Sequence, residues 1–222
     1  MVVKNEENRF LEQMLLSAKA YVDFILIIDD ASTDNTVAIC EKVLTNFPHK
    51  IIKNHTSLFE NETNLRTFQW QETLKLNPNW ILILDADELF EDTIFDKIED
   101  LLQTTKDAIY FRLFDFWSET HYRDDALWYA HRTYRPFMMR NKESMAYSFK
   151  DAAQHCGRFP LEITQLSYEL SDIRLKHLGW SREIDRKNKF ERYLQLDPNG
   201  EFGNMHQYLS ICDENPNLKP FD

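Results

Sequence analysis

Two short acidic clusters in the first half of the chain have the residue types and spacing to hold a cation. Asp29 and Asp30 directly follow the apolar run Phe24–Ile28, and Asp85, Asp87 and Glu88 directly follow Trp80–Leu84. Carboxylates one residue apart repel one another unless a cation or hydrogen-bond donors neutralise them. Oxygen ligands of this kind suit Mg2+ or Mn2+, which take one or two carboxylates together with substrate phosphates. A chain with 26 basic and 37 acidic residues, net charge −11, can then still bind a diphosphate, with the metal between the like charges. Spacing alone leaves a plainer reading open. Either cluster can be a solvated strand-to-helix turn whose acids favour the helix N-terminus, and Ser32 or Asp34 can cap the helix that follows Asp30.

The elements that must position these acids alternate between strand and helix. Asn8 to Ala20 places Phe10, Met14, Leu15 and Ala18 at helical spacing, and Phe24–Ile28 reads as a strand buried on both faces. A helix carrying Val37, Ile39, Cys40, Val43 and Leu44 ends at Pro48, and Ile51–Ile52 begins a short edge strand. Asn64 to Leu76 predicts a helix, Trp80–Leu84 another buried strand, and Ile94 to Leu102 a helix. This order predicts an α/β domain with a mostly parallel central sheet flanked by helices. Ligands of such sheets bind at the carboxyl ends of the strands, where both acidic clusters fall. After Asp107 the pattern changes. Ala108–Phe116 predicts a strand, an aromatic and basic stretch follows, Lys176–Trp180 closes a short strand, and Ser181 caps a charged helix to Leu196. At 222 residues the chain suits one domain in two halves, 1–105 and a mixed 106–222.

Composition excludes several classes. The acidic balance argues against a general nucleic-acid binder, which needs an electropositive face. No apolar run reaches the roughly 18–20 residues of a membrane-spanning helix, and the first residues lack the apolar core of a secretory signal. Cys40, Cys156 and Cys212 are odd in number and widely spaced, which fits a reducing compartment. The expected setting is cytoplasmic, soluble or peripheral to a membrane.

Three segments together carry a family resemblance: Val2 to Glu7 with its Asn5-Glu6 pair, Ile27 to Thr36 with Asp29-Asp30-Ala31-Ser32-Thr33-Asp34-Asn35-Thr36, and Trp80 to Glu88 with Asp85-Ala86-Asp87. In order and spacing they resemble the family-2 glycosyltransferases of the GT-A fold, over about residues 1–105. The resemblance implies a nucleotide-sugar donor, a divalent metal (Mn2+ or Mg2+), inversion at the anomeric carbon, and a glycan, lipid or protein acceptor. It puts Glu6 by the nucleoside and gives Asp30 a hydrogen bond from base or ribose, with Asp29 orienting that loop. Arg66 would lie near the nucleotide, Asp85 near the ribose and metal-bound water, and Asp87 on the metal, with His177 as a possible further ligand. It also implies several residues ahead of Val2-Val3, so a first strand beginning here is expected to be short.

The second half should supply the base that takes the acceptor's proton. Asp115, Glu119, Asp124 and Asp125 are candidates. Asp124 and Asp125 are favoured because they form an acidic pair amid aromatics, although surface pairing with Arg123, Arg132 or Arg135 explains them as well. Arg182, Arg186 and Lys187 on the charged helix can reach phosphate or simply be solvated. Cys156 reads as a buried thiol. Competing readings weigh less. Asp85-Ala86-Asp87 resembles the nucleophile motif of haloacid-dehalogenase-like phosphatases, but Leu89 and the mid-chain position count against it. Asp29-Asp30 resembles the acidic pocket of a response-regulator receiver, whose chain would be shorter. A GT-A-like binding module without catalysis is the remaining alternative.

Overall fold

The computed structural model describes residues 1–142, 145–152 and 155–222. The chain forms β1 (Val2–Val3), α1 (Leu11–Ala18), β2 (Ile25–Asp29), α2 (Thr36–Val43), β3 (His49–Lys53) and α3 (Glu62–Leu74). Next come β4 (Trp80–Leu82), β5 (Glu88–Phe90), α4 (Thr93–Leu102), β6 (Ala108–Asp115), β7 (His121–Arg123) and β8 (Tyr134–Arg140). The chain ends with β9 (Tyr168–His177), α5 (Glu183–Leu196), α6 (Met205–Ser210) and β10 (Leu218–Pro220).

The first three strands make a parallel sheet in the order β1-β2-β3. All five residues of β2 are buried, because the sheet is covered on both faces. Ile25 and Ile27 pack with Leu11, Met14, Leu15, Cys40 and Val43 of α1 and α2. Leu26 and Ile28 turn the other way, onto Leu65 and Phe68 of α3. β1 is two residues long, and its start is held by the terminal ammonium of Met1 donating to the Leu26 carbonyl at 2.8 Å.

The second sheet is mixed, in the order β4-β8-β6-β9-β5. β4 does not extend the parallel sheet. It pairs antiparallel with β8, so Trp80 and Leu82 are only half-buried while Ile83 and Leu84 beyond it are buried. β6 is central, antiparallel to β8 and parallel to β9, with Ile109 and Phe111 fully buried. β5 adds antiparallel to β9, bringing Glu88 opposite His177, while β6 brings Asp115 opposite the same histidine. The His177 position is thereby flanked by acidic residues on both sides. The last helix differs in its start from the sequence reading. Ser181 donates back to the Leu178 carbonyl at 2.7 Å, and α5 begins after Arg182.

Candidate active site

The loops at the carboxyl ends of β1 and β2 are tied to one another. Asn5 and Ala31 adopt φ values of 54° and 60°, the left-handed turn that Asn tolerates better than most residues. Asn5 accepts from the Thr33 amide at 2.8 Å, Thr36 Oγ1 accepts from the Glu6 amide at 2.7 Å, and Asp34 accepts from the Glu7 amide at 3.1 Å. Asp34 also accepts from the Thr36 amide at 2.9 Å, closing the first turn of α2. The Ser32–Thr36 segment therefore fixes the loop that presents Glu6. Asp29 and Asp30 lie beneath this surface and do not line the cavity. Asp30 is fully buried and accepts from Asn54 Nδ2 at 2.7 Å and the Leu58 amide at 2.9 Å, while Asp29 accepts from the Ser32 amide at 3.3 Å.

A cavity of about 460 Å³ opens at these strand ends. Its walls carry Glu6, Glu62, Asp85 and Asp87 against Lys4, Arg9, Arg66, Lys189 and Arg192, with His155, His177 and Tyr193 completing one side. Residues from both halves of the chain thus line one space. Glu6 accepts from Arg9 Nη1 at 2.8 Å, and its other oxygen is buried without a partner. Burial pushes the Glu6 carboxyl up to about 7, against the pull of Arg9.

Asp85 and Asp87 diverge in environment despite their spacing. Asp85 accepts from Arg66 Nη2 at 3.1 Å and lies 3.8 Å from Arg158 Nη2. Arg158 itself grips Glu88 with two bonds of 2.7 Å and stacks on Phe137 at 4.2 Å. Burial opposes ionisation of Asp85, but Arg66 and Arg158 hold its carboxyl below the usual range. Asp87 faces Lys189 Nζ at 3.2 Å, Arg9 Nη2 at 3.6 Å and His177 Nε2 at 3.7 Å. Burial opposes its charge too, yet Lys189 and His177 hold it well below the carboxylate range. Asp115 sits 2.7 Å from His177 Nδ1, which leaves Nε2 facing the cavity. Burial works against a charged His177, but Asp87 and Asp115 raise it to about 9.

Asp87 offers an oxygen to a divalent ion and His177, in its neutral form, a nitrogen, so that binding an ion there would release the imidazole proton, with Asp85 beside them. Their cradle already accommodates a cation, the Lys189 ammonium, 3.2 Å from Asp87 Oδ2 and 3.4 Å from His177 Nε2. Among the described residues no group of three or more His, Cys, Asp or Glu side chains forms a ready ligand set. An ion there would take its remaining ligands from phosphate and water.

Asp124 and Asp125, the favoured candidate bases, lie outside the cavity lining. Asp125 accepts from Arg123 Nε at 2.6 Å and from the Leu127 and Trp128 amides at 2.8 and 3.0 Å. Asp124 pairs with Arg132 and lies 3.1 Å from His131 Nε2. Both hold a turn around Arg123, which is buried between Trp117 and Trp128. Of the basic residues named on α5, Arg182 pairs with Asp185, Arg186 donates to the Trp117 and Trp180 carbonyls, and Lys187 pairs with Glu183. The cavity instead receives Lys189 and Arg192. The available signal was their spacing of three, with Tyr193 adjoining, on a helix that read as solvated. Arg9 and Arg158 had no local signal at all.

Parallel strands feeding a charged cavity at their carboxyl ends, beside a mixed sheet, define a GT-A-like α/β fold, and solved structures agree. The fold matches S. aureus TarS 1-349 in complex with UDP-GlcNAc over 95% of this chain and 70% of that one (TM-score 0.56, 14% identity). It also matches the mannosyltransferase PcManGT from Pyrobaculum calidifontis in complex with GDP-Man and Mn2+ over 95% and 68% (TM-score 0.53, 11% identity). The chain belongs to glycosyl transferase family 2, whose family model matches residues 1–159. Its relatives include the uncharacterized protein Rv3786c of Mycobacterium tuberculosis, 27% identical over 226 residues, covering 91% of this chain and 51% of that protein. Another is the uncharacterized glycosyltransferase RC0292 of Rickettsia conorii, 31% identical over 99 residues, covering 45% and 31%. The chain spans about half the length of the mycobacterial relative. Among the described residues no helix is long and apolar enough to cross a membrane.

Proposed function

We propose that the chain transfers a sugar from a nucleoside-diphosphate donor to an acceptor hydroxyl, with inversion and with a divalent ion, Mn2+ or Mg2+, held by Asp87 and His177. The observation that carries this reading is the cavity itself, where Asp85, Asp87 and His177 converge with Arg9, Arg66, Lys189 and Arg192 at the carboxyl ends of the parallel strands. TarS and PcManGT, which share the fold, are complexed with UDP-GlcNAc and GDP-Man. In the transfer, the acceptor oxygen forms a bond to the anomeric carbon as the carbon–oxygen bond to the diphosphate breaks. The electron pair leaves with the diphosphate, and the acceptor proton goes to a base. A bound divalent ion supplies Lewis acidity toward the leaving phosphate.

The residues present divide the remaining work. Arg66, anchored on Asp85, and Asp85 itself face the nucleotide sugar, and the cationic side chains of the wall favour the charge that develops on the leaving group. Glu6 suits the base, since its ionisation is raised to about 7 and one of its oxygens has no partner, whereas Asp85 and Asp87 are held too acidic. Asp29 and Asp30 support the strand-end loops from below. The acceptor is a glycan, lipid or protein hydroxyl.

Thermal-shift titration with UDP, GDP, CMP and dTDP, each with and without Mn2+, tests the reading on wild type and Asp87→Asn. A ligand at a hundred times its dissociation constant stabilises the native state by about 2.7 kcal/mol. One nucleotide should give a Mn2+-dependent shift that Asp87→Asn weakens. No shift with any nucleotide from folded protein would overturn the proposal, and a shift without turnover of the matching donor sugar would leave a binding module.

A further inference from the structure

α5 lies beyond the residues that match the family model, yet it places a cation in the wall of the cavity. The Lys189 ammonium stands between Asp87 and His177, the two side chains assigned to a divalent ion, and 4.3 Å from the centre of the Trp180 ring. Its own side chain is only 11% exposed. The surroundings are cut to admit it. A Cβ on Gly179 would overlap both Asp87 Oδ2 and Lys189 Nζ, and would come within 2.9 Å of Asp87 Cγ, so any larger residue there forces the pair to move. One helical turn on, Arg192 also lines the cavity. Among the described residues it forms no hydrogen bond or ion pair, and its Nε is buried without a partner while its guanidinium lies over Phe59 at 5.2 Å.

The ammonium lies 3.2 Å from Asp87 Oδ2 and 3.4 Å from His177 Nε2, so an ion held by both side chains would have to occupy its place, and two cations that close repel strongly. Lys189 must leave Asp87 when a divalent ion arrives. It would then be a poorly compensated charge, because the other carboxylates of the cavity already have partners, Glu6 in Arg9, and Glu62 and Asp85 in Arg66. A diphosphate removes that penalty. It offers oxygens to the displaced ammonium and to the unpaired Arg192, and it completes the ligands of the ion.

We propose that Lys189 is a resident counter-ion that exchanges partners: it neutralises Asp87 in the empty site and, displaced by the divalent ion, binds the donor's diphosphate together with Arg192. The proposal rests on the reading of the cavity as a nucleoside-diphosphate site. Its consequence is a positive coupling between ion and nucleotide, carried by this chain's own side chain, and couplings of this kind commonly span about 5- to 150-fold.

Calorimetric titration of Mn2+ without nucleotide, and of UDP and GDP in buffer with EDTA and in buffer with Mn2+, separates the possibilities. Lys189→Met should bind Mn2+ about tenfold more tightly than wild type without nucleotide, and should bind the nucleotide about tenfold more weakly in buffer with Mn2+, with little change in EDTA. Lys189→Arg, which keeps the charge, should stay near wild type on both counts, and Arg192→Met should weaken the nucleotide alone. Lys189→Gln repeats the neutral substitution should the methionine variant fold poorly. Unchanged Mn2+ affinity in the neutral variants would overturn the counter-ion role, and unchanged nucleotide affinity in buffer with Mn2+ would overturn the diphosphate role. Wild type that binds neither UDP nor GDP under any condition would overturn the donor-site reading instead.

Discussion

At the residue scale, burial and neighbouring charge set different tasks for chemically identical carboxyls. Glu6 is held near 7 by burial, so between about 4.5 and 7 the folded chain binds more protons than the unfolded one, and the group's contribution to stability falls as pH rises through that window. Glu6→Gln should remove this slope, which urea titrations at a series of pH values would detect as a difference curve between variant and wild type. The same variant tests the base assignment. Turnover should fall by about 10²- to 10⁴-fold with UDP or GDP affinity retained, whereas a loss of nucleotide affinity would return Glu6 to a nucleoside contact. Gly179→Ala forces Asp87 and Lys189 from their places, and should weaken both ion and nucleotide binding while the chain still folds. No local pattern singles out this glycine, because its neighbours lie 92 residues earlier and ten residues later in the chain.

At the element scale, β5, β6 and β9 work as one device. Their pairing lines up Glu88, Asp115 and His177, and the Leu178 amide donates to the Asp87 carbonyl at 2.8 Å, fixing the acidic turn to the end of β9. A second device surrounds Arg123, which bonds Asp125, Asp213 and the Ser210 carbonyl and so joins β7 to the segment after α6. Asp125→Ala leaves that buried guanidinium short of a partner and should cost about 3 kcal/mol of stability in urea unfolding. Nucleotide affinity of the folded variant should be unchanged, since the turn lies away from the cavity. Sequence patterning found β2, α4, β6 and α5 to within two residues, because β2 and β6 are rich in apolar residues, α4 has an apolar face at helical spacing and α5 is a charged segment following Ser181. It missed β8, the short β5, β7 and β10, and α6. Where it read a short strand closing at Lys176–Trp180 it saw only the end of the ten-residue β9, which gives way to a 3-10 turn at Leu178–Trp180. Tyr134–Arg140 carries Pro136 and three arginine or tyrosine side chains on a strand whose partners alone make it one.

At the scale of the whole molecule, the two sheets share a core. Ile25 and Ile27 of the parallel sheet belong to the same buried cluster as Phe90, Phe111, Phe137 and Leu175 of the mixed one. Phe111 sits edge-on to Phe90 at 4.9 Å and to Phe137 at 6.3 Å, and is fully buried. Phe111→Ala should cost about 3–5 kcal/mol. Because the cluster spans both sheets, unfolding followed by far-UV circular dichroism and by tryptophan fluorescence should remain a single coincident transition, displaced to lower urea. The net charge of −11 does not describe the cavity, whose walls carry as many cations as carboxylates or more. Overall charge is a sum over the surface, while ligand binding responds to what is gathered within a few ångströms.

The amino-acid sequence by itself determined the buried strand β2, the acids that follow it, the Asp85–Asp87 pair and the loop motifs that mark the family, since all of these are patterns within about ten consecutive residues. It did not determine which charges meet. Lys189 reaches Asp87 across 102 residues and Arg158 reaches Glu88 across 70, and no local period records either encounter. Only the tertiary structure decided that Asp125 braces a turn, that Asp30 lies beneath the cavity, and that a lysine occupies the cation cradle. Chain-local preferences fix elements through short-range sterics and burial, whereas a carboxylate's role depends on the through-space charges that packing of distant elements brings beside it.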